Sequence, residues 1–499
     1  MRGVWVRELS GWLGALALAL ITTAHVASSA RSELLFRDGD SLIVAMFARS
    51  LLSGQPWDWA MSSVLFLPES AVFAGLDLAL PLDVNGLLAA NAIVNLIVLY
   101  GALRLAVGRR RDGAAPVTWS LLGLAVFALI AATETSASRD ALQLASLLLT
   151  TTYYSATVIA VLLSVGLVRR VLDRGSGGLG AIVALGATAA VSTLSNPLYA
   201  VWATVPITLL LGLMIVRSAQ RHRLAVLVAV LLAGTAIGFL GRIPFRAWIT
   251  NTGAGYVQPE QWSQSLTYYT GLLADRLSTT EGVVGCLVVL ALLALAVVRT
   301  VRGGDDGTWF VGAIAWVAPV LVVVGAVALG THAARYLQPL VFAPVLALVA
   351  LPRAARMPLR SRSLLAAAAA VLLLLGGALS VPRLVAATAE EDPDLACVTG
   401  WVNASGRTGA GQFWTVRLPK LHLDDPARLV QVDHELNGYA WLVDRRDFDV
   451  REVSFLVEDA QTVPWSLPVP AVPDEVVDCG RYRILDFGGT SLPIGPQRS

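Results

Sequence analysis

The chain has 499 residues, of which 56% are hydrophobic and only 14% are charged, and its mean hydropathy is +0.67. Soluble domains contain closer to ~45–50% apolar residues. The composition therefore excludes an ordinary soluble protein and predicts a polytopic α-helical membrane protein. The net charge is only +2, but the positive charges are unevenly distributed, and their distribution predicts the topology.

An apolar run at residues 11–30 follows Arg2 and Arg7 near the N-terminus. It is long enough to cross a bilayer, which takes ~20 residues in a helix. Small residues at 27–30 are typical of a signal-peptide cleavage site. The long series of further apolar runs favours a retained membrane anchor over a cleaved signal peptide.

The next region, up to residue 86, differs from a membrane span. The apolar residues of 42–52 fall on one helical face, which is typical of a helix lying in the membrane interface. Trp57 and Trp59 suit the headgroup level. Residues 61–80 are apolar but contain a proline and two acidic residues, so we expect an interfacial or re-entrant segment there.

Further apolar runs bring the predicted number of transmembrane helices to about eleven. They are residues 87–107, 117–133, 150–168, 178–194, 199–216, 224–240, 283–298, 309–329, 337–351 and 363–379.

Alternation of these spans gathers the short arginine-rich connections on one side of the membrane. These connections are residues 109–111, 169–174, 217–223, 299–302 and 353–362. Positive charge marks the cytoplasmic side, so the N-terminus is predicted to be cytoplasmic at the plasma membrane. The long polar segments then face outward: residues 31–86, 135–149, 242–282, 331–338 and the tail from 381 to 499.

The tail is predicted to be a separate domain. We divide the chain into a membrane domain, residues 1–382 with its first outer loop at 31–86, and a small extracytoplasmic domain, residues 383–499. The tail contains about half of the chain's 35 acidic residues, which a bilayer would accommodate only at high cost. A mixed α/β fold is predicted from strand-like runs at 429–432, 453–457 and 482–487 and helix-like runs at 395–403 and 412–421.

Two of the three cysteines lie near the two ends of the tail. A disulfide between Cys397 and Cys479 is compatible with the oxidising side of a membrane. Two buried thiols are equally compatible with the sequence, so the pairing stays open. Cys286 lies inside a predicted span.

The turn Asp38-Gly39-Asp40 follows the first span on the predicted outer side. A carboxylate there can deprotonate an acceptor hydroxyl, or it can bind a divalent metal, Mg²⁺ or Mn²⁺, that neutralises a phosphate. The sequence does not decide whether a metal is required. The alternative is structural: Gly39 supplies a turn, and Asp40 or Ser41 caps the helix that begins near Leu42.

A second polar cluster, His332, Arg335 and Tyr336, lies in a short outward loop. The planar fork of an arginine matches a phosphate, so these three residues are candidates for binding a donor phosphate. The alternative is that Arg335 reaches lipid headgroups and Tyr336 belongs to an aromatic belt.

Weaker candidates lie elsewhere on the predicted outer side. Glu134 and Asp140, in the second outer loop, could line a substrate groove, although turn formation explains them as well. Four aromatic residues of the tail are candidates for binding a glycan acceptor or for core packing: Trp401, Trp414, Tyr439 and Trp441.

The order of these features resembles the GT-C superfamily of glycosyltransferases, which includes protein O-mannosyltransferases, lipid A aminoarabinose transferases and mycobacterial arabinofuranosyltransferases. The resemblance consists of an N-terminal span, an acidic first outer loop, many further spans, a late Arg335-Tyr336-x-x-Pro339 with Pro344 five residues on, and an extracytoplasmic tail. It implies an inverting hexosyl- or pentosyltransferase that uses a polyprenyl-phosphate-linked sugar.

By the same resemblance, Asp38 or Asp40 is the catalytic base, and Arg335 contacts the donor phosphate. Many members have adjacent acidic residues where this chain has Asp-Gly-Asp, which leaves open which aspartate acts. The expected acceptor is an envelope glycan, lipid or protein at the bilayer surface, and no nucleic-acid partner is expected.

Two other functions stay open. A transporter or flippase of lipid-linked glycans predicts ionisable residues at mid-span, broken helices and an internal repeat. A non-catalytic envelope assembly protein would use its tail to bind a partner.

Overall fold

The computed structural model describes residues 2–54, 57–108, 113–173, 178–217, 220–353, 358–468 and 470–498, with every side chain except those of residues 2–4, 359 and 362. The α-helices are α1 (Arg2–Ala27), α2 (Ile43–Leu52), α3 (Leu67–Ala79), α4 (Val84–Ala106), α5 (Pro116–Ala132), α6 (Ser155–Leu172), α7 (Leu179–Ser195), α8 (Val205–Arg217), α9 (Arg221–Gly241), α10 (Trp262–Leu277), α11 (Thr280–Val301), α12 (Asp306–Ala328), α13 (Pro339–Phe342), α14 (Leu346–Ala350), α15 (Leu359–Thr388), α16 (Pro393–Ser405) and α17 (Phe413–His422).

The strands are mostly in the tail. They are β1 (Trp59–Ala60), β2 (Gly409–Gln412), β3 (Leu429–Val432), β4 (Asn437–Tyr439), β5 (Val443–Asp444), β6 (Glu452–Val453), β7 (Phe455–Glu458), β8 (Glu475–Cys479), β9 (Tyr482–Asp486), β10 (Leu492–Pro493) and β11 (Gly495–Arg498). Short π-helices occur at Glu33–Arg37 and Ala200–Thr204. The 3₁₀-helices are Ser146–Leu149, Ile243–Phe245, Ala254–Tyr256, Pro259–Gln261, Ala334–Leu337, Pro426–Arg428 and Arg445–Asp449.

Eight helices of the described chain are long and apolar enough to cross a membrane, and each matches a predicted span. The three other predicted spans correspond to shorter apolar helices, Pro116–Ala132, Leu179–Ser195 and Ala334–Ala350. Membrane character and a mostly helical fold are thus confirmed, whereas the number of eleven and the orientation stay predictions. Part of the arginine pattern, residues 109–111, Arg174 and Arg356, lies outside the described residues.

The predicted span at residues 337–351 is not a continuous helix. It consists of the 3₁₀-helix Ala334–Leu337 followed by α13 and α14. Pro339 begins α13, and Pro344 lies in the turn before α14. Proline has no N–H to donate and its ring clashes with the preceding helical turn, so two prolines five residues apart break the helix twice.

The chain folds as two compact units. The first, here called the helical unit, comprises Met1–Ser32, Leu88–Ile243 and Gly255–Thr388. The second, the sheet unit, comprises Glu33–Leu87, Pro244–Ala254 and Ala389–Ser499. The sequence-based division assigned residues 31–86 to the membrane domain, whereas contacts group most of that loop with the tail.

Close helix packing in the helical unit depends on small residues. A Cβ atom on Gly234 of α9 would lie 2.5 Å from the carbonyl oxygen of Gly186 on α7, and one on Gly238 would lie 2.5 Å from that of Ala190. Without these side chains the two backbones approach closely, as is common between membrane helices.

A buried arginine ties helix ends together in the same unit. The Arg169 guanidinium on α6 donates to the carbonyls of Ala106, Val349 and Ala350 at 2.8–3.0 Å. These carbonyls end α4 and α14, where they have no partner within their own helices. Asp173 lies 3.6 Å from the Arg169 Nε atom.

The sheet unit is built on a seven-stranded mixed sheet with the strand order β11-β4-β3-β2-β7-β9-β8. The central strand β2 is parallel to both β3 and β7, and α17 connects β2 to β3 as a β-α-β unit. Alternate residues point to opposite faces: Leu429 packs with α16 and α17, and Val430 packs on the other face with Phe487. The predicted mixed α/β tail is confirmed.

Cys397 and Cys479 form a disulfide with a Cα–Cα distance of 5.5 Å. This decides between the two alternatives that the sequence left open. The bond joins α16 to the end of β8, while Cys286 is a free cysteine.

The loop before α4 pairs with segments of the sheet unit. Strand β1 pairs with β5 of the tail, and the N–H of Met61 donates to the carbonyl of Trp248 at 2.6 Å. Helix α2 was predicted to lie at the membrane interface with one apolar face, but six consecutive residues, Ile43 to Ala48, are buried. Helices α3 and α17 both pack against α2.

Helix α3 has 13 residues, which at ~1.5 Å per residue is shorter than the ~30 Å hydrocarbon core of a bilayer. This agrees with the prediction that residues 61–80 do not form a full span.

Candidate functional site

The acidic turn begins where a π-helix ends. The N–H of Asp38 donates to the carbonyl of Glu33 at 2.8 Å, a bond between residues five apart that closes the π-helix Glu33–Arg37. Single π turns are rare and occur frequently at functional sites. The extra residue per turn sets the direction in which the chain enters the Asp38-Gly39-Asp40 turn.

The two aspartates of the turn have different environments. Asp38 is only 7% exposed, and its Oδ2 atom accepts a hydrogen bond from the N–H of Ser41 at 3.2 Å. Asp40 is half-buried. Leu42, and neither Asp40 nor Ser41 as predicted, occupies the N-cap position of α2 and provides no side-chain cap. Asp38 closes the turn that precedes the helix.

Gly39 lies against helix α17 of the tail. A Cβ atom on Gly39 would lie 3.1 Å from Cε3 of Trp414 and 3.3 Å from Cγ of Arg417. Both distances are tighter than ordinary van der Waals contact, so a side chain here would push the turn away from α17. The glycine of Asp-Gly-Asp thus permits a close approach between the first loop and the tail.

Arg417 is the functional candidate that the sequence did not reveal. It is 0% exposed, its Nη2 atom donates to the carbonyl of Trp441 at 2.8 Å, and its Nη1 atom lies 3.8 Å from Sδ of Met46. The guanidinium also stacks on the ring of Phe413, 4.4 Å from the ring centre. Among the described residues, Nε has no hydrogen-bond partner.

The charge of Arg417 is coupled to the acidic turn. Burial lowers the pKa of the guanidinium to about 9, and the negative charge of Asp40 is the largest influence that opposes this shift. The group stays charged at neutral pH. The sequence signal for Arg417 is a basic residue among apolar neighbours in α17. Many arginines with a structural role have apolar neighbours too, so this signal does not identify a functional residue.

The tail aromatics separate into two groups. Trp401 packs edge-on against Phe455, with ring centres 4.9 Å apart, and belongs to the core of the sheet unit. Three half-buried aromatics lie around Arg417 and Phe413 instead: Trp414, Tyr439 and Trp441.

In the helical unit, the Arg335 loop is anchored by a strained tyrosine. The Nε atom of Arg335 donates to the hydroxyl of Tyr154 at 3.2 Å, and its guanidinium lies 5.7 Å from the ring centre of Tyr336. Tyr154 has a φ of +67°, which is a costly conformation for a bulky side chain. Such strain often accompanies functional sites.

Tyrosines also surround the other predicted donor-binding residues. His332 is exposed and lies edge-on to Tyr268, 5.5 Å between ring centres, and Tyr336 contacts Tyr256 at 6.4 Å. Burial raises the pKa of Tyr268 above its ordinary value, so its phenol keeps its proton at neutral pH and can donate a hydrogen bond to an anion.

Three irregular backbone segments meet near Arg335. The ring of Tyr154, at the start of α6, packs on Trp202 in the π-helix Ala200–Thr204, and Trp202 packs on Phe342 in α13. The side-chain amide of Gln338 donates to the carbonyl of Tyr153 at 3.0 Å. Irregular backbone within a membrane bundle is tolerated where it is buried in protein or lines a cavity.

Glu134 has a structural role. Its two carboxylate oxygens accept hydrogen bonds from the N–H groups of Ala145 and Ser146, each at 2.8 Å. Arg31, itself buried, donates to Ser146 at 2.8 Å and to the carbonyl of Gln143 at 2.9 Å. The pair thus folds the second loop, which explains Glu134, while Asp140 is exposed.

The described residues contain no group of three or more His, Cys, Asp and Glu side chains that could hold a metal ion. A metal at Asp38 and Asp40 would need its other ligands from water or from a substrate phosphate, which is a common arrangement for Mg²⁺.

The predicted site residues fall into two groups. Asp38 and Asp40 belong to the sheet unit, and His332, Arg335 and Tyr336 belong to the helical unit. No protein-family model matches this chain, and no curated protein is significantly similar to it.

Proposed function

We propose that the protein is an integral membrane glycosyltransferase of the GT-C type, which moves a sugar from a polyprenyl-phosphate donor to an envelope glycan, lipid or protein on the outer face of the plasma membrane. The observation that carries the proposal is the half-buried Asp40 in a turn that Asp38 and Gly39 hold on α17, beside the buried cation Arg417.

In the proposed reaction Asp40 acts as the general base. It removes the proton of the acceptor hydroxyl as the oxygen attacks the anomeric carbon with inversion. The bond from that carbon to the donor phosphate breaks, and polyprenyl phosphate leaves with the electron pair. Asp38 supports the turn, because its carboxylate already accepts the N–H of Ser41.

Arg335 is proposed to bind the departing phosphate. Tyr154 orients its guanidinium through a hydrogen bond to Nε at 3.2 Å, and the planar guanidinium of an arginine matches the geometry of a phosphate. His332 and Tyr336 flank it along the same loop.

The grouping of chain segments supports the predicted outer location. Glu33–Leu87, Pro244–Ala254 and Ala389–Ser499 fold together in the sheet unit, and all three were predicted to face outward. Because a folded unit lies on one side of a bilayer, the grouping agrees with the alternation of spans. The mixed α/β tail would then form its disulfide on the oxidising side.

The test replaces the chromosomal copy with Asp40→Asn or Asp38→Asn and measures the glycosyl linkages of the envelope. We expect Asp40→Asn to remove one linkage, since a missing general base costs ~10²–10⁴-fold in rate. Asp38→Asn should lower transfer less and reduce protein stability by ~1 kcal/mol, the net contribution of one hydrogen bond.

The matched control is Asp58→Asn. Asp58 is an exposed aspartate of the same loop, paired with Arg445 at 2.9 Å, and such surface pairs contribute little. All linkages should persist in this control. Full transfer by the Asp38→Asn/Asp40→Asn double variant, expressed at normal levels, would refute the assignment.

A transporter of lipid-linked sugars is the second candidate, because the broken segment Ala334–Ala350 is a feature that it predicts. The same strains distinguish the two functions. Unchanged linkage types together with an accumulated lipid-linked intermediate on the cytoplasmic side would indicate a flippase. Loss of a single linkage with unimpaired export of the donor lipid would indicate a transferase.

A further inference from the structure

We propose that Arg417 of the tail is the positioning residue of the acidic turn, so that helix α17 completes a catalytic centre whose base lies almost 400 residues earlier in the chain. The inference rests on the proposed role of Asp40 as base. It assigns the tail a part in the catalytic site in place of a separate acceptor-binding role.

The acidic turn packs directly on helix α17. Gly39, between the two aspartates, packs on the aliphatic stem of Arg417: its Cβ position lies 3.3 Å from Cγ and 3.5 Å from Cβ of that residue. Cε3 of Trp414, three residues earlier on α17, lies 3.1 Å from the same Cβ position. The turn therefore has a shaped seat formed by two side chains of the tail.

The positive charge of Arg417 is buried. A fully buried guanidinium with an unsatisfied Nε among the described residues is costly. An apolar side chain would avoid that cost, and the hydrogen bond to the carbonyl of Trp441 offsets only part of it. A role in the site gives a reason for an arginine here, because its positive charge attracts the half-buried carboxylate of Asp40.

The other charged and titratable groups near Arg417 are Asp447 and Tyr439. Both oxygens of Asp447 are held by Lys420 at 2.7 Å, so this carboxylate is already neutralised. Tyr439 is a phenol and uncharged at neutral pH. Asp38, the second carboxylate of the turn, accepts the N–H of Ser41. Among these groups, Asp40 has the largest favourable influence on the charge of Arg417.

The geometric step can be tested without an activity assay. In a Cys286→Ser background, the Gly39→Cys/Arg417→Cys pair places its two Cβ atoms ~3.5 Å apart, within the range of a disulfide. We expect the pair to cross-link under mild oxidation, as detected by mass spectrometry of the joined peptides. The control pair is Gly39→Cys with Arg483→Cys, an exposed position on β9. Cross-linking no faster than in this control would show that Gly39 does not pack on Arg417.

The catalytic step is tested with Arg417→Met and Arg417→Lys in the full-length protein. Membranes from cells lacking the chromosomal copy receive purified variant and total lipid extract, and formation of the missing linkage is followed over time. We expect Arg417→Met to lower the rate by about a hundredfold, since small misplacements of a catalytic group cost this much. Arg417→Lys should restore part of the rate because it keeps the charge.

Thermal unfolding separates positioning from a purely structural role. A positioning role predicts that Arg417→Met unfolds at or above the wild-type midpoint while its rate falls. If Arg417→Met lowers both the transfer rate and the unfolding midpoint, and Arg417→Lys restores neither, the inference is contradicted. Arg483→Met is the matched control and should change neither quantity.

The two proposals fail in different ways. If Asp40→Asn keeps every linkage, the transferase assignment fails whatever the cross-link shows. If Asp40→Asn loses the linkage while Arg417→Met transfers at the wild-type rate, only the role of Arg417 fails.

Discussion

Two buried cations lie three residues apart on α17 and have opposite surroundings. Lys420 donates to both oxygens of Asp447 at 2.7 Å and to the carbonyls of Pro426 and Leu429 at 2.9 Å. Its ammonium has all its donors engaged and serves the fold. Arg417 lacks such saturation, and this contrast within one helix distinguishes a structural charge from one that acts on the neighbouring turn.

Lys420→Met should reduce the free energy of unfolding by ~3–5 kcal/mol, because it leaves the buried carboxylate of Asp447 unpaired. The Lys420→Met/Asp447→Leu double variant should recover most of this loss, since no buried charge remains. Thermal unfolding of the purified full-length protein measures both. Equal destabilisation in the single and double variants would show that the pair contributes through packing alone.

At the scale of elements, α3 reverses the usual amphipathic pattern. It buries Glu69, Ser70 and Phe73 and exposes Val72 and Leu78. Residues 80–83 join it directly to α4, a candidate membrane span, so we expect its C-terminal end to lie near the bilayer surface. An exposed apolar face at that position fits the acyl region of the interface.

We therefore expect a cysteine at Leu78, whose side chain is 75% exposed, to react with a lipid-phase reagent and to resist an aqueous maleimide. The experiment uses the Cys286→Ser background, with Arg483→Cys as the water-exposed control. Rapid aqueous labelling of Leu78→Cys would show that the exposed apolar face of α3 lies in water. A protein partner would then be needed to cover its apolar residues.

The sequence predicted these elements well where one period dominates. Apolar runs located the eight helices that are long and apolar enough to cross a membrane, and the runs at 429–432 and 482–487 located β3 and β9, because burial alone determines such patterns. It failed for β2, whose Gly-Ala-Gly-Gln carries no strand signal, and for α2, in which six consecutive apolar residues are buried by long-range packing. The Asp38 turn was found, but Arg417 was not, since their proximity depends on long-range folding.

At the scale of the whole molecule, the Cys397–Cys479 disulfide closes a loop with a sequence separation of 82 residues. Closing a loop of this length stabilises a fold by ~4 kcal/mol through the unfolded state. We expect Cys397→Ser to lower the unfolding midpoint of the tail and to reduce transfer, because α16 and β8 frame the sheet that carries α17. Cys286→Ser should change neither, and an unchanged midpoint in Cys397→Ser would show that the bond is dispensable.

Because Gly39 packs on Trp414 and Arg417, the first loop can reach its final position only after this part of the tail has been synthesised. The first loop leaves the ribosome several hundred residues before its seat exists, which at ~5–20 residues per second is a delay of tens of seconds. During this time the acidic turn and the apolar α2 lack the surface that covers them. A chain truncated before α17 would lack the surface on which the acidic turn packs, so the proposed catalytic centre would form only after α17 has been synthesised.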